Sequence, residues 1–230
     1  MTDPRKAFFD GLRETLGRVL NNNDVAAGHR LLDALGAAKE GDTVQHHLRN
    51  EDAFYAAVRG IVGRFDTVQF ETIRALLKDA AHWPIGWVAY GLATAWHEAR
   101  LKPIEEIGKG KGREYGKPGK HGGQIAYGRG LVQLTWDWNY QAMDDALGLG
   151  GSLVKDYSLA LKPDIAVRIL IDGMERGRFT GKSLAIYIGK RGTRPEFVQA
   201  RRIINGTDRA DLIAGYAEQF QDALEKGGWA

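Results

Sequence analysis

The chain has 230 residues, 43% of them apolar and 27% charged, an ordinary globular balance that argues against disorder and allows one large domain with or without a small appendage. A formal net charge of +3 and a sequence pI of about 9.0 favour a polyanionic partner, such as nucleic acid or the bacterial envelope. Cysteine is absent, which excludes a disulfide framework and a thiolate zinc site and suits folding in a reducing compartment.

The first twenty residues lack the basic, apolar and cleavage regions of a secretory signal. No apolar run approaches the roughly 20 residues that span a bilayer, so no stable membrane insertion is expected. Residues 7–35 and 53–80 form an internal repeat: Ala7, Phe8 and Phe9 align with Ala53, Phe54 and Tyr55, and Arg13, Gly17 and Arg18 with Arg59, Gly63 and Arg64. After a one-residue gap, Val25, Leu31 and Leu32 align with Phe70, Leu76 and Leu77. Each copy reads as helix, turn, helix, with Gly17 as a helix C-cap. The polar linker 36–52 is expected to be exposed. Residues 1–48 are thus an N-terminal helical segment, either a wall-binding accessory or simple packing, ahead of a larger domain over 49–230.

The spacing of Val88, Leu92, Ala95 and Ala99 predicts a helix over 84–101, with Pro84 in its first turn. Residues 108–123 are loop by composition. Alternation of Val132 and Leu134 with Gln133 and Thr135 predicts a short strand or hairpin within 125–140. Helices follow over 162–177, with Ile165, Ile169 and Met174 inward, over 194–204, and over 209–227. The last has Leu212, Tyr216, Phe220 and Leu224 in one row and ends at Gly227. The fold class is mainly α with one small β element.

Several chemistries fall away. HEARL at 97–101 lacks the second histidine of H-E-x-x-H, and His46–His47 reads as an exposed polar pair, so no metal is expected. GKGKGREYGK lacks the phosphate-loop pattern, and no G-x-S-x-G elbow is present. Without a helix-turn-helix or RNA-binding pattern, nucleic acid is not an expected partner. What remains is a set of glutamates. Glu98 ends an apolar helix, where desolvation and the negative helix terminus both raise a carboxyl pKa. Glu105 and Glu106 enter a lysine-rich loop that favours ionised carboxylates. Glycoside hydrolysis needs such an acid and base pair. From the residues alone, ordinary solvated glutamates remain an equal reading.

Three motifs then carry a resemblance over most of residues 84–230. ATAWHEA (93–99), YGRGLVQLTWDWNY (127–140) and ARRIINGT (200–207) resemble, in order, segments of glycoside hydrolase family 19. These are the chitinases of lysozyme-like architecture, and the closest likeness is to their phage and prophage endolysin branch. The resemblance implies a lysozyme-like α+β domain with one small β-hairpin, preceded by helical hairpins. It implies Glu98 as general acid, Glu105, with Glu106 as the alternative, as the second carboxylate, and Thr135 as the hydroxyl that positions water. It places Glu106, Tyr127, Gln133, Trp138, Asn139, Arg202 and Asn205 along the substrate. Trp136, Trp138 and Tyr140 read equally as core, and Gly128 and Gly130 as points of close backbone approach. Leu131 replaces the usual proline, and the chain is about two residues shorter between Glu98 and the PIEE segment.

The implied activity is inverting hydrolysis of peptidoglycan glycan strands, by a cofactor-free monomer made in the host cytoplasm and released to the wall with a holin. A chitinase, a lytic transglycosylase and a wall-binding protein that no longer cuts are the rival readings.

Overall fold

The computed structural model describes residues 4–16, 20, 24, 27–28, 31, 45–121 and 123–230. Gly17, Arg18, Val25 and Leu32 of the first repeat copy, and residues 36–44 of the linker, lie outside the described residues. The chain divides into two compact units, one of Met1–Ala57, Ala81–Tyr90 and Gly173–Ala230, the other of Val58–Ala80 and Gly91–Asp172. The described residues are mainly helical, with a single antiparallel strand pair.

The first helix of the chain, α1 (Pro4–Leu16), buries Phe9 and pairs Arg13 with Asp10 at 2.6 Å. The second repeat copy folds as its pattern indicates. Helix α2 (Glu51–Val62) stops at Gly63, whose φ of +78° suits glycine and whose N–H reaches the Arg59 carbonyl at 3.0 Å. Helix α3 (Thr67–Asp79) then begins with a capping box: Asp66 accepts from the Gln69 N–H at 3.0 Å, and the Gln69 side chain accepts from the Asp66 N–H at 2.9 Å.

Helix α4 (Ile85–Ala99) is apolar on nearly every face, the mark of a buried helix. It ends two residues short of the sequence expectation. Arg100 and Leu101 both take left-handed backbone, φ +53° and +59°, which costs an L-residue about 1 kcal/mol or more each. Three contacts offset that cost: the Leu101 N–H reaches Ala95 O at 3.0 Å, the Leu101 side chain is fully buried, and Gln69 Nε2 donates to Arg100 O at 2.8 Å. Glu98 therefore sits in the last turn of α4, just before a sharp bend.

In the unit that follows, β1 (Ile104–Glu105) pairs with β2 (Arg129–Gly130), in the register Ile104 with Gly130 and Glu105 with Arg129. Helix α5 (Asp137–Leu147) ends at Gly148, φ +63°, and the short α6 (Ser152–Lys155) follows. Helix α7 (Pro163–Arg176) buries Ile165, Ile169 and Met174 as its spacing indicates. The alternation over 132–135 is not a strand. Arg129 and Leu134 exchange both backbone hydrogen bonds, 3.1 and 2.9 Å, around a tight turn, so the inward residues are Leu131 and Leu134.

The C-terminal elements are α8 (Leu184–Tyr187), α9 (Arg194–Ala200) and α10 (Ala210–Lys226). Helix α9 packs on α10, where Gln221 clamps Gly192 with two buried bonds of 2.8 and 3.0 Å. Gly227 ends α10 as expected, but Leu212 is 45% exposed, and the buried face runs instead through Ile213, Ala217, Phe220 and Leu224. The described end of the 36–52 linker is largely exposed, as expected, and is tied down by its backbone: His47 exchanges bonds with Ala230, and the Arg49 and Asn50 N–H groups both reach Gly227 O at 2.9 Å.

Candidate active site

The strand pair gathers most of the predicted site residues into one unit. Glu98, half-buried, stands where α4 stops. Glu105 lies on β1, one-third exposed, and its two oxygens have different partners. Oε1 accepts from the Tyr127 hydroxyl, and Oε2 pairs with Lys109 Nζ at 2.7 Å. Arg129 Nε stands 4.0 Å from Oε1. Hydrogen bonds from Lys109 and Tyr127 hold the Glu105 carboxyl below its ordinary value. It is thus an ionised acceptor, as the basic loop indicates from sequence.

Glu106, its neighbour, is tied into the scaffold. Its Oε1 accepts from the Tyr115 hydroxyl at 2.9 Å and its Oε2 from the Gly128 N–H at 3.0 Å, while its own N–H donates to Gly128 O at 2.8 Å. Burial and this bond push the Tyr115 phenol up. Both Glu106 oxygens therefore brace the loop against β2.

The tight turn positions the polar residues of the second motif. Gln133 takes φ +54°, and its Nε2 reaches Ile104 O at 3.2 Å and Gly130 O at 3.4 Å. The Thr135 hydroxyl donates to Gln133 O at 2.7 Å, which leaves its oxygen free to accept. Asn139 Nδ2 donates to Thr135 O at 2.8 Å. Gly128 lets these side chains lie close to the backbone: a Cβ there would stand 2.8 Å from Gln133 Oε1 and 3.3 Å from Thr135 Oγ1.

Trp138 is 56% exposed and lies stacked on Trp136, ring centroids 4.5 Å apart, with Tyr115 edge-on to Trp136 at 5.2 Å. Tyr140 is fully buried, so of these aromatics it is the core residue. Tyr127, expected along the substrate, is 7% exposed, with its ring beneath Arg129 and its hydroxyl on Glu105.

Arg202 and Asn205 belong to the other unit. There the Arg202 carbonyl accepts from the Thr180 hydroxyl at 2.7 Å, its guanidinium donates to Gln199, and Asn205 is exposed. Sequence reasoning passes over Lys109 and Arg129. The first could have been found as an i, i+4 partner of Glu105. Arg129 stands between the two glycines of YGRG, but its pairing with Glu105 is a matter of strand register. Among the described residues, no three His, Asp or Glu side chains cluster as a metal site, and no helix is long and apolar enough to cross a membrane.

No protein-family model and no curated protein sequence matches the chain. Among solved structures, it is similar to the crystal structure of chitinase C from Streptomyces griseus HUT6037. The identity is 22%, the TM-score 0.52, and the match covers 82% of this chain and 79% of that one. With the mainly helical course and single strand pair of its described residues, the chain has a lysozyme-like, chitinase-type fold.

Proposed function

We propose that the protein is a glycoside hydrolase that cuts the glycan strands of bacterial peptidoglycan by inverting acid/base catalysis, as a phage-type endolysin. The observation that carries the reading is the presence of two carboxyls in unlike surroundings within one unit: Glu98 half-buried at a helix terminus, and Glu105 held ionised on the strand pair. Glu98 donates its proton to the glycosidic oxygen as the bond to the anomeric carbon breaks. A water attacks that carbon from the opposite face and gives its proton to Glu105, with the Thr135 oxygen accepting its second hydrogen. Inverting sites keep their carboxyls roughly 6.5–9.5 Å apart to admit this water. Trp138 offers a ring face to a sugar. Within this unit Gln133 and Asn139 are the polar groups proposed for substrate contact, and Glu106 supports the loop next to β2. The net charge of +3 favours an anionic wall, and a holin supplies the route from the cytoplasm.

A second reading, chitin as substrate, is favoured by the likeness of the fold to that of chitinase C. Digestion of purified peptidoglycan and of chitin by wild type and Glu98→Gln, with products read by mass spectrometry, decides between them. Hydrated saccharides from peptidoglycan with wild type, and at least about 100-fold less with the mutant, support the proposal. Release from chitin alone would move the substrate, and anhydro ends would make the enzyme a lytic transglycosylase.

A further inference from the structure

The least expected charge in the second unit is Arg129. It is 7% exposed, and its Cζ lies 3.5 Å over the Tyr127 ring, with the rings of Tyr140 and Tyr157 at 5.9 and 5.8 Å. Its Nη1 donates to Ile125 O, Tyr127 O and the Tyr140 oxygen, at 3.2, 3.2 and 3.1 Å. Tyr140 in turn donates to Tyr127 O at 2.9 Å, and burial pushes its phenol up to about 12, so it remains a donor. The result is a rigid cradle around Tyr127. A buried cation is costly and is weak support for stability in itself, so its presence calls for another reason.

That reason lies at one atom. Arg129 Nε is buried without a hydrogen-bond partner, and it faces Glu105 Oε1 at 4.0 Å. The same oxygen takes the Tyr127 hydroxyl. The other oxygen, Oε2, meets Lys109, a largely exposed side chain on the loop. One side of the carboxylate is therefore fixed by buried groups, while the other is covered by a side chain that can swing away.

We propose that Arg129 and Tyr127 are positioning residues for Glu105: they anchor Oε1 from beneath and leave Oε2 as the oxygen that takes the proton from water. The inference rests on the reading of Glu105 as the base. Arg129 fixes the tyrosine ring, and the tyrosine hydroxyl fixes the carboxylate. Arg129 Nε, 4.0 Å from the same oxygen, holds a buried positive charge beside it whether or not Lys109 is in place. The charged and titratable groups around Glu105 are Lys109 on its own loop, Tyr127 and Arg129 on the facing segment, Tyr140 from α5 and Glu106 next in sequence.

The test uses Tyr127→Phe, which keeps the ring in its cradle, with Arg129→Lys as a second variant and Glu105→Gln as the reference. Initial rates on soluble uncrosslinked peptidoglycan strands give kcat and KM. Carboxyl carbon NMR, with the signal assigned through Glu105→Gln, gives the Glu105 titration midpoint without substrate. Tyr127→Phe is expected to lower kcat about 10- to 100-fold at unchanged KM, to raise the Glu105 midpoint, and to leave the fold intact by circular dichroism. Arg129→Lys is expected to change kcat in the same direction. Wild-type kcat and midpoint in both variants, alongside an inactive Glu105→Gln, would overturn the inference and leave the proposed function standing. So would losses that only track the folded fraction. Full activity in Glu105→Gln would instead overturn the base assignment, and the midpoint in Tyr127→Phe would then judge the anchoring separately: raised upholds it, unmoved ends it.

Discussion

Two regions of the second unit each hold a carboxylate, and they hold it by opposite means. At the end of α5, Asp144 is 1% exposed and accepts three backbone N–H groups, from Gly151 and Leu153 at 2.6 Å each and from Val154 at 3.2 Å. On the strand pair, Glu105 is bound only by side chains, and one of them, Lys109, is 61% exposed. Main-chain donors cannot leave unless the chain unfolds, whereas side-chain donors can rotate. Asp144 is therefore a fastener for the start of α6, and Glu105 is a carboxylate kept available. Full burial alone would have pointed to the wrong one.

The contrast is broken or upheld most sharply by a pair of isosteric substitutions. Glu105→Gln is expected to lower kcat by about 10² to 10⁴ and to lower the urea midpoint only slightly, because the Lys109 ion pair it removes is largely exposed. Asp144→Asn puts an amide against N–H donors and removes charge-assisted bonds. It is expected to cost about 2–4 kcal/mol of stability, while kcat at 25 °C stays within about twofold of wild type. Rate assays and urea unfolding on both variants provide the check. If Asp144→Asn lost activity while keeping its stability, the division into fastener and working group would be wrong.

A smaller effect belongs to Trp138, which adds to the strand-pair side of the comparison. Its ring is half exposed and stacked on Trp136, so Trp138→Ala removes a sugar platform and little core. A stacking contact of about 0.5–1.5 kcal/mol corresponds to a two- to tenfold rise in KM. The melting temperature is expected to hold within about 2 °C. A drop in melting temperature with unchanged KM would return Trp138 to the scaffold.

How much of this is legible in the sequence follows from how local each signal is. Helix α4 can be read because Val88, Leu92, Ala95 and Ala99 mark one face within the helix itself. The end of α10 is equally local, fixed by Gly227. Its buried face is misjudged at Leu212, because residues spaced by four drift about 40° per step on a helix of 3.6 residues per turn. Over the twelve residues to Leu224, the drift reaches about 120°. The Arg129–Leu134 turn reads as a strand because four alternating residues fit both. Only the backbone exchange across the turn and the left-handed Gln133 distinguish them. The ionised state of Glu105 is foreseeable from the lysine-rich loop. Its anchoring by Tyr127 and Arg129 is not, since strand register joins residues more than twenty apart.

The smallest expected effect probes the movable side of Glu105. Lys109 is its leading cation, and the pair holds the Glu105 carboxyl below its ordinary value. The sign follows from which form the lysine favours. A lowered value means that the folded chain prefers the ionised carboxylate. That preference contributes stability above the unfolded value and is lost as pH falls through the folded one. In Lys109→Gln the Glu105 value rises, so the acid limb of the kcat/KM profile moves to higher pH. At neutral pH both proteins hold Glu105 ionised, so rates there are expected to differ by less than about threefold. Because Lys109 and its partner are exposed to solvent, salt screens their attraction. The difference between the two acid limbs should therefore narrow in high salt, whereas a shift produced by Tyr127→Phe, from a buried hydroxyl, should persist. Identical salt dependence in the two variants would place Tyr127 and Lys109 on the same solvent-exposed side of the carboxylate. It would remove the distinction between its fixed and free oxygens.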